Sequence, residues 1–141
     1  MFFKTFMKFA ALAVILAFAS GCATLPGAKP GVVIQMSDND PAKWNLALNN
    51  AKNVQQELGK DKVDIEIVAF GPGINMLKFD SEVANRVTES EKSGIAILAC
   101  GNTMKAMKLT DKDLNPSAKV VPAGVIEIMT KQEAGWSYIK P

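Results

Sequence analysis

The reading of the fold turns on Gly94-Ile95-Ala96-Ile97-Leu98-Ala99-Cys100, which runs directly into Gly101-Asn102-Thr103-Met104. A run with no charged or amide side chain before its closing cysteine marks a strand buried on both faces, as in a parallel sheet. It is the most apolar run of the chain beyond residue 30, so it is expected to be the central strand. Asn102-Thr103-Met104 then opens a helix through about Leu109. A strand that ends at a helix start is half of a β-α-β unit.

The same alternation continues on both sides. GVVIQM (31–36) is a short apolar strand, and Ser37-Asp38-Asn39-Asp40-Pro41 supplies N-cap side chains and a proline suited to a first helical turn. A helix is predicted over 41–58, with Trp44, Ala47, Leu48, Ala51, Val54 and Leu58 on one face, stopped by Gly59. VDIEIVAF (63–70) is a second strand with Val63, Ile65, Ile67 and Ala69 on one side, leading into the turn Gly71-Pro72-Gly73-Ile74. The next helix spans about 81–92, with Val83, Ala84 and Val87 inward and Glu82 and Arg86 paired outside. After a further turn at 111–114 come a strand at 119–122, a helix at 123–134, a break at Gly135 and a short last strand at Trp136–Ile139. The order predicts right-handed crossovers and a three-layer, mostly parallel α/β sheet flanked by helices.

Composition narrows the chemistry. The chain has 141 residues, room for one domain. It contains no histidine, which removes Ser-His-Asp and Cys-His nucleophiles, His-ligated zinc and imidazole pH switching. Its two cysteines, Cys22 and Cys100, stand too far apart for a CxxC pair and are too few for a cysteine-rich metal site. No metal and no cofactor is expected. Without Lys4 and Lys8 the 16 Lys and Arg fall to the number of Asp and Glu, which is 14. A neutral domain with one arginine, Arg86, lacks the footprint of a nucleic-acid binder.

Residues 1–21 read as an export signal: Lys4 and Lys8 form a basic start, and the apolar run Phe9–Ala19 is too short for the ~20 residues of a membrane span. The run ends in Ala19-Ser20-Gly21-Cys22, which resembles the bacterial lipobox, whose cysteine is lipidated at the new N-terminus. Ala19 stands where Leu is favoured, and cleavage after Ala17-Phe18-Ala19 is the competing reading. Residues 22–30 then form the lipidated cysteine and a Pro- and Gly-containing tether, and 31–141 form the domain. Ala23 after the cysteine favours the outer membrane over inner-membrane retention. The expected location is periplasmic and lipid-anchored.

In an open parallel sheet, ligands bind beyond the carboxyl ends of the strands. Four loops are expected there: Ser37–Pro41, Gly71–Asn75, Cys100–Thr103 and Pro122–Gly124. Cys100 precedes a helix start, whose free N–H groups favour a thiolate; a buried, inert cysteine is the alternative. Gly71-Pro72-Gly73 is either a plain tight turn or a backbone anion cradle, and too short for a dinucleotide motif. Asp38-Asn39-Asp40 lacks an EF-hand continuation and reads as a cap. Lys105, Lys108 and Lys112 form a solvated face or a docking patch.

Phe70-Gly71-Pro72-Gly73-Ile74, Ala99-Cys100-Gly101-Asn102-Thr103-Met104 and Val121-Pro122-Ala123-Gly124-Val125, with Trp136 and Tyr138, together resemble the DsrE/DsrF family over about 31–141. The resemblance implies a flavodoxin-like (YchN-like) fold, assembly as trimers or hexamers, and a cysteine that accepts sulfane sulfur as a persulfide for a partner thiol. Cys100 matches that cysteine. Gly71, Gly73, Gly101, Asn102, Thr103 and Gly124 would frame its pocket. The implied partners are sulfur donor and acceptor proteins or small sulfur compounds, and the role is a carrier's rather than a turnover enzyme's. The best-known relatives act on cytoplasmic sulfur pathways, including tRNA thiolation, which an exported protein cannot reach. A non-catalytic small-ligand or assembly module of the same fold is the other reading.

Overall fold

The computed structural model describes residues 29–141. The export signal, Cys22 and the tether as far as residue 28 lie outside the described residues. The elements are β1 (Gly31–Met36), α1 (Pro41–Leu58), β2 (Asp64–Ala69), a 3-10 turn (Gly71–Leu77) and α2 (Ala84–Lys92). They continue with β3 (Ala96–Cys100), α3 (Gly101–Met107), a second 3-10 turn (Asp111–Asp113), β4 (Lys119–Val121), α4 (Gly124–Glu133) and β5 (Ser137–Ile139). The strands form one sheet in the order β4-β3-β2-β1-β5, and every pairing within it is parallel. The expected three-layer, flavodoxin-like α/β architecture is what the chain adopts.

Crossover handedness distributes the helices. From β1 to β4 the chain steps one way across the sheet, so right-handed connections place α1, α2 and α3 on one face. The step from β4 back to β5, past β1, reverses direction and sends α4 to the other face. The two cores follow. Val32, Ile34, Ile65, Ile67, Ile97 and Ala99 pack with Trp44, Leu48, Val87 and Met104 of the three-helix face. Val33, Val68 and Leu98 point the other way, onto Ile128 of α4. Strand alternation alone makes this division.

Several local expectations shift. The middle strand is β2, whose Ile67, Val68 and Ala69 are fully buried; β3 is interior but one place off centre. The cause is the reversed last crossover, which sets β5 beside β1. Helix α2 starts at Ala84 rather than about 81, because the Ser81 carbonyl takes the Ala84 N–H and its hydroxyl the Val83 N–H in a preceding turn. Arg86 does not pair with Glu82; its guanidinium donates to the side-chain amide oxygens Asn45 Oδ1 and Asn49 Oδ1 of α1, the latter at 2.6 Å. Leu58, at the end of the apolar stripe of α1, is exposed. Helix α3 ends at Met107, with Lys108 in the left-handed region, so Lys112 leaves the helix and the three lysines do not share one helical face.

The start of α1 at the carboxyl edge is pinned by the loop before it. Asp40 caps α1, its Oδ1 accepting the Ala42 N–H at 2.9 Å. The Trp44 indole N–H donates to the Asp38 carbonyl at 2.8 Å. The aspartates of this loop therefore act as cap and loop brace.

Candidate functional site

Cys100 is the last residue of β3 and the N-cap of α3. It shares strand parity with Leu98, so its side chain is on the α4 face of the sheet. The two α4-face neighbours confirm the direction: a Cβ built on Gly124 would stand 3.1 Å from Cys100 Cβ and 3.2 Å from Val68 Cγ1. Gly124 is the first residue of α4. The beginnings of α3 and α4 thus meet at Cys100, and the missing side chain of Gly124 lets them do so without displacing their neighbours.

Cys100 is buried, with 5% of its surface exposed. Burial works against the thiolate and is the largest single influence on the thiol. It is outweighed by the Gly124 N–H, the Thr103 hydroxyl and the Thr103 and Asn102 N–H groups, so the pKa lies below the ordinary 9.0. The Asn102 N–H is shared with the Pro122 carbonyl, at 3.2 Å, and contributes least. The thiol makes no formed N-cap hydrogen bond; the donors act together as dipoles aimed at the sulfur. Charged side chains are absent from these causes, so the site favours an anion by geometry alone.

The remaining expected residues divide. Gly71 enters the site through its backbone: its N–H donates to Thr103 Oγ1 at 2.9 Å and joins the end of β2 to α3. Gly101 lies against the β4 end, where an added Cβ would meet the Val121 and Pro122 carbonyl oxygens at 3.1 and 3.3 Å. Asn102 is exposed at the rim. Gly73 sits against β1, with its Cβ position 2.3 Å from the Met36 carbonyl oxygen, and packs the loop rather than facing the sulfur. The loop after β1 comes to the same edge, where Asn75 donates to Asn39 Oδ1 at 3.1 Å. All four expected loops therefore converge. Phe70, which follows β2, also packs here: its Cβ is 3.4 Å from the Gly124 Cβ position, and an aromatic at a strand end carries no signal of its own.

Two surface cavities lie elsewhere. One, of about 280 Å³, is between α1 and α2, around Lys52, Gln55, Arg86 and Glu89. The other, of about 250 Å³, is at the amino edge of the sheet beside Glu66, Lys131 and Trp136. Neither is lined by Cys100. Among the described residues no three potential metal-ligating side chains cluster.

The family model described as DsrE/DsrF-like matches residues 30–141. The chain belongs to the DsrE/DsrF-like family. Sulfur relay is the chemistry attached to that family. Among solved structures, a protein of unknown function, MTH1491 from Methanobacterium thermoautotrophicum, is 35% identical, with a TM-score of 0.75 over 79% of this chain and 99% of its own. BT1422 from Bacteroides thetaiotaomicron, a conserved protein of unknown function, is 18% identical with a TM-score of 0.66, over 79% and 94%, a likeness of fold alone. No curated protein matches the chain. Within the DsrE/DsrF-like domain the thiol at the end of β3 is the one nucleophilic sulfur among the described residues.

Proposed function

We propose that the chain is a periplasmic sulfur carrier that forms a persulfide on Cys100 and passes it to a partner. The observation that carries this reading is that the start of α4, at Gly124, packs against the buried cysteine that N-caps α3 in a domain of a sulfur-relay family, with the thiol held below its ordinary pKa. In the loading step the Cys100 thiolate attacks the outer sulfur of a donor persulfide, R–S–SH. The Sγ–S bond forms, the donor S–S bond breaks, R–S⁻ leaves and the proton stays on the transferred sulfur. In the unloading step an acceptor thiolate attacks that outer sulfur and Cys100 departs as a thiolate. A lowered pKa assists both halves, giving more thiolate for attack and a better leaving group afterwards. The described residues hold no second thiol, so the acceptor is another molecule: a partner protein or a small sulfur compound.

The surrounding proposals follow from the sequence. Lipidation at Cys22 would hold the domain at the periplasmic face of the outer membrane through the 22–30 tether. The domain would act as a trimer or hexamer. Trp136 and Tyr138 divide as interface candidates. Trp136 is packed at home, its ring where a Gly31 side chain would be and 4.4 Å from Lys131 Nζ. Tyr138 is exposed, its hydroxyl donating to Gln35 Oε1 at 2.7 Å.

Cold cyanolysis tests the carrier reading. Polysulfide-treated, desalted protein should release about one thiocyanate per chain, because cyanide takes the outer sulfur of a persulfide and returns the thiolate. Cys100→Ser should release none. The burial of Cys100 favours the second reading, a ligand-binding or assembly module. In that case the folded protein resists both polysulfide and iodoacetamide.

A further inference from the structure

We propose that the cleft between α1 and α2 is a second binding site, which takes a small monocarboxylate with an aliphatic body. Nothing in this site depends on the sulfur chemistry. Ile95, at the bottom of the cleft, belongs to the core of the three-helix face, whereas Cys100 points to the α4 face. The two stand about 17 Å apart along the extended chain.

The cleft is a built cavity rather than a loose seam. In a parallel sheet α1 and α2 both run antiparallel to the strands, side by side, and two polar ties join them. At one end the Arg86 guanidinium donates to Asn45 Oδ1 and to Asn49 Oδ1, the latter at 2.6 Å. At the other end Gln55 Nε2 donates to the Ser93 carbonyl at 2.9 Å, and the Ser93 hydroxyl donates to the Ser90 carbonyl at 2.7 Å. Asn49 and Gln55 are about 9 Å apart along the helix, and the cavity of about 280 Å³ opens between the ties. Its floor is aliphatic: Leu48 and Ile95 line it and are 1% and 2% exposed.

The charge balance of the cleft is unfinished. A guanidinium has five N–H groups and keeps its charge at every working pH. Arg86 commits its two terminal nitrogens to side-chain amides, which hold it in place without cancelling that charge. Asn45 is fixed for this task, because its Nδ2 donates to the Pro41 carbonyl at 2.9 Å and so turns Oδ1 toward Arg86. Lys131, a comparably half-buried cation, is met instead by the carboxylates of Glu66 and Glu127. Among the described residues no carboxylate lies within ion-pair distance of Arg86. The cavity wall adds Lys52 and Glu89, neither of them in an ion pair. Two cations and one anion leave a single positive charge to be matched. That balance suits one carboxylate better than a doubly charged phosphate. A planar carboxylate can also take two of the guanidinium N–H groups that the asparagines leave over. The aliphatic floor then covers a short hydrocarbon body.

Hexanoate is the probe, and hexanol, with the same number of carbons and no charge, is its control. In isotope-labelled protein hexanoate should give saturable shifts of the Arg86 Nε–H and of the Leu48 and Ile95 methyl groups, with a Kd of about 1 mM. Hexanol should give none at the same concentrations. Asn49→Asp keeps an oxygen on Arg86 but supplies the missing counter-charge. The helix tie and the Tm should therefore survive, while hexanoate binds about tenfold more weakly. Lys52→Gln changes only an exposed charge and should weaken binding about threefold. Cys100→Ser should bind hexanoate as wild type does. Absence of saturable shifts in wild type, equal binding of hexanol, undiminished binding by either charge variant, or loss of binding in Cys100→Ser overturns the proposal.

Discussion

Gly124 is where a single methyl group separates fold from function. An added Cβ would press on Cys100 Cβ and Val68 Cγ1, so Gly124→Ala should cost about 1–2 kcal/mol by overpacking in urea melts. It should also move the start of α4 away from the sulfur and raise the pH midpoint of iodoacetamide alkylation at Cys100. The thiol itself makes a pH-dependent contribution. Its folded pKa lies below 9.0, so that contribution is complete above the unfolded value and disappears as pH falls through the folded one. The stability difference between wild type and Cys100→Ala should therefore widen as pH rises toward about 9; a gap independent of pH would contradict a stabilised thiolate. At this scale the sequence was informative about Cys100, which ends the most apolar strand in front of a helix start. The open-sheet rule brought the Pro122–Gly124 loop to the same edge as Cys100, but the direct contact of Gly124 with Cys100 was not legible, since the two meet through a crossover whose geometry no local pattern encodes. Gly73 shows the opposite failure: a glycine beside the site by sequence proves to be spacing for the β1 end.

Elements were read well where periodicity and caps agree, and α1 is the example. Its predicted bounds are those observed, because Asp40, Pro41 and Gly59 mark both ends. Asp40→Ala should lower stability by about 1 kcal/mol with little effect on Cys100. The start of α2 was misread because Ser81 offers its side chain and its carbonyl to a turn before the helix begins, a choice that periodicity does not report. The Glu66–Lys131 pair joins β2 to α4 at 2.8 Å, and one oxygen of Glu66 is buried without a partner. Burial pulls the Lys131 pKa down, but the bonds and charges of Glu66 and Glu127 more than compensate and raise it. The contribution of a raised lysine is present through neutral pH and fades only as pH rises through the folded value. Lys131→Met should cost about 1–2 kcal/mol, discounted from a fully buried pair because the lysine is partly exposed. Adding Glu66→Gln should return part of the loss.

At the scale of the molecule, α4 is the one helix on its face of the sheet among the described residues, and Val125, Ile126 and Met129 are exposed along it. A stripe of this kind suits self-association. Light scattering on residues 29–141 should give a trimer or a multiple of it, and Ile126→Asp should shift the mass toward monomer; a wild-type monomer at micromolar concentration would contradict the proposal. The parallel α/β class was legible because strands and helices alternate from Gly31 to Ile139. The strand order was not, since every crossover obeys one handedness whichever way it steps, and the apolarity of β3 signals an interior strand rather than the middle one. The central claim is that Cys100 carries sulfane sulfur, and intact mass after polysulfide treatment tests it most directly. The account predicts a gain of about 32 Da, one sulfur atom, reversed by dithiothreitol and absent in Cys100→Ser. An unchanged wild-type mass, with Cys100 still a free thiol on unfolding, would contradict it.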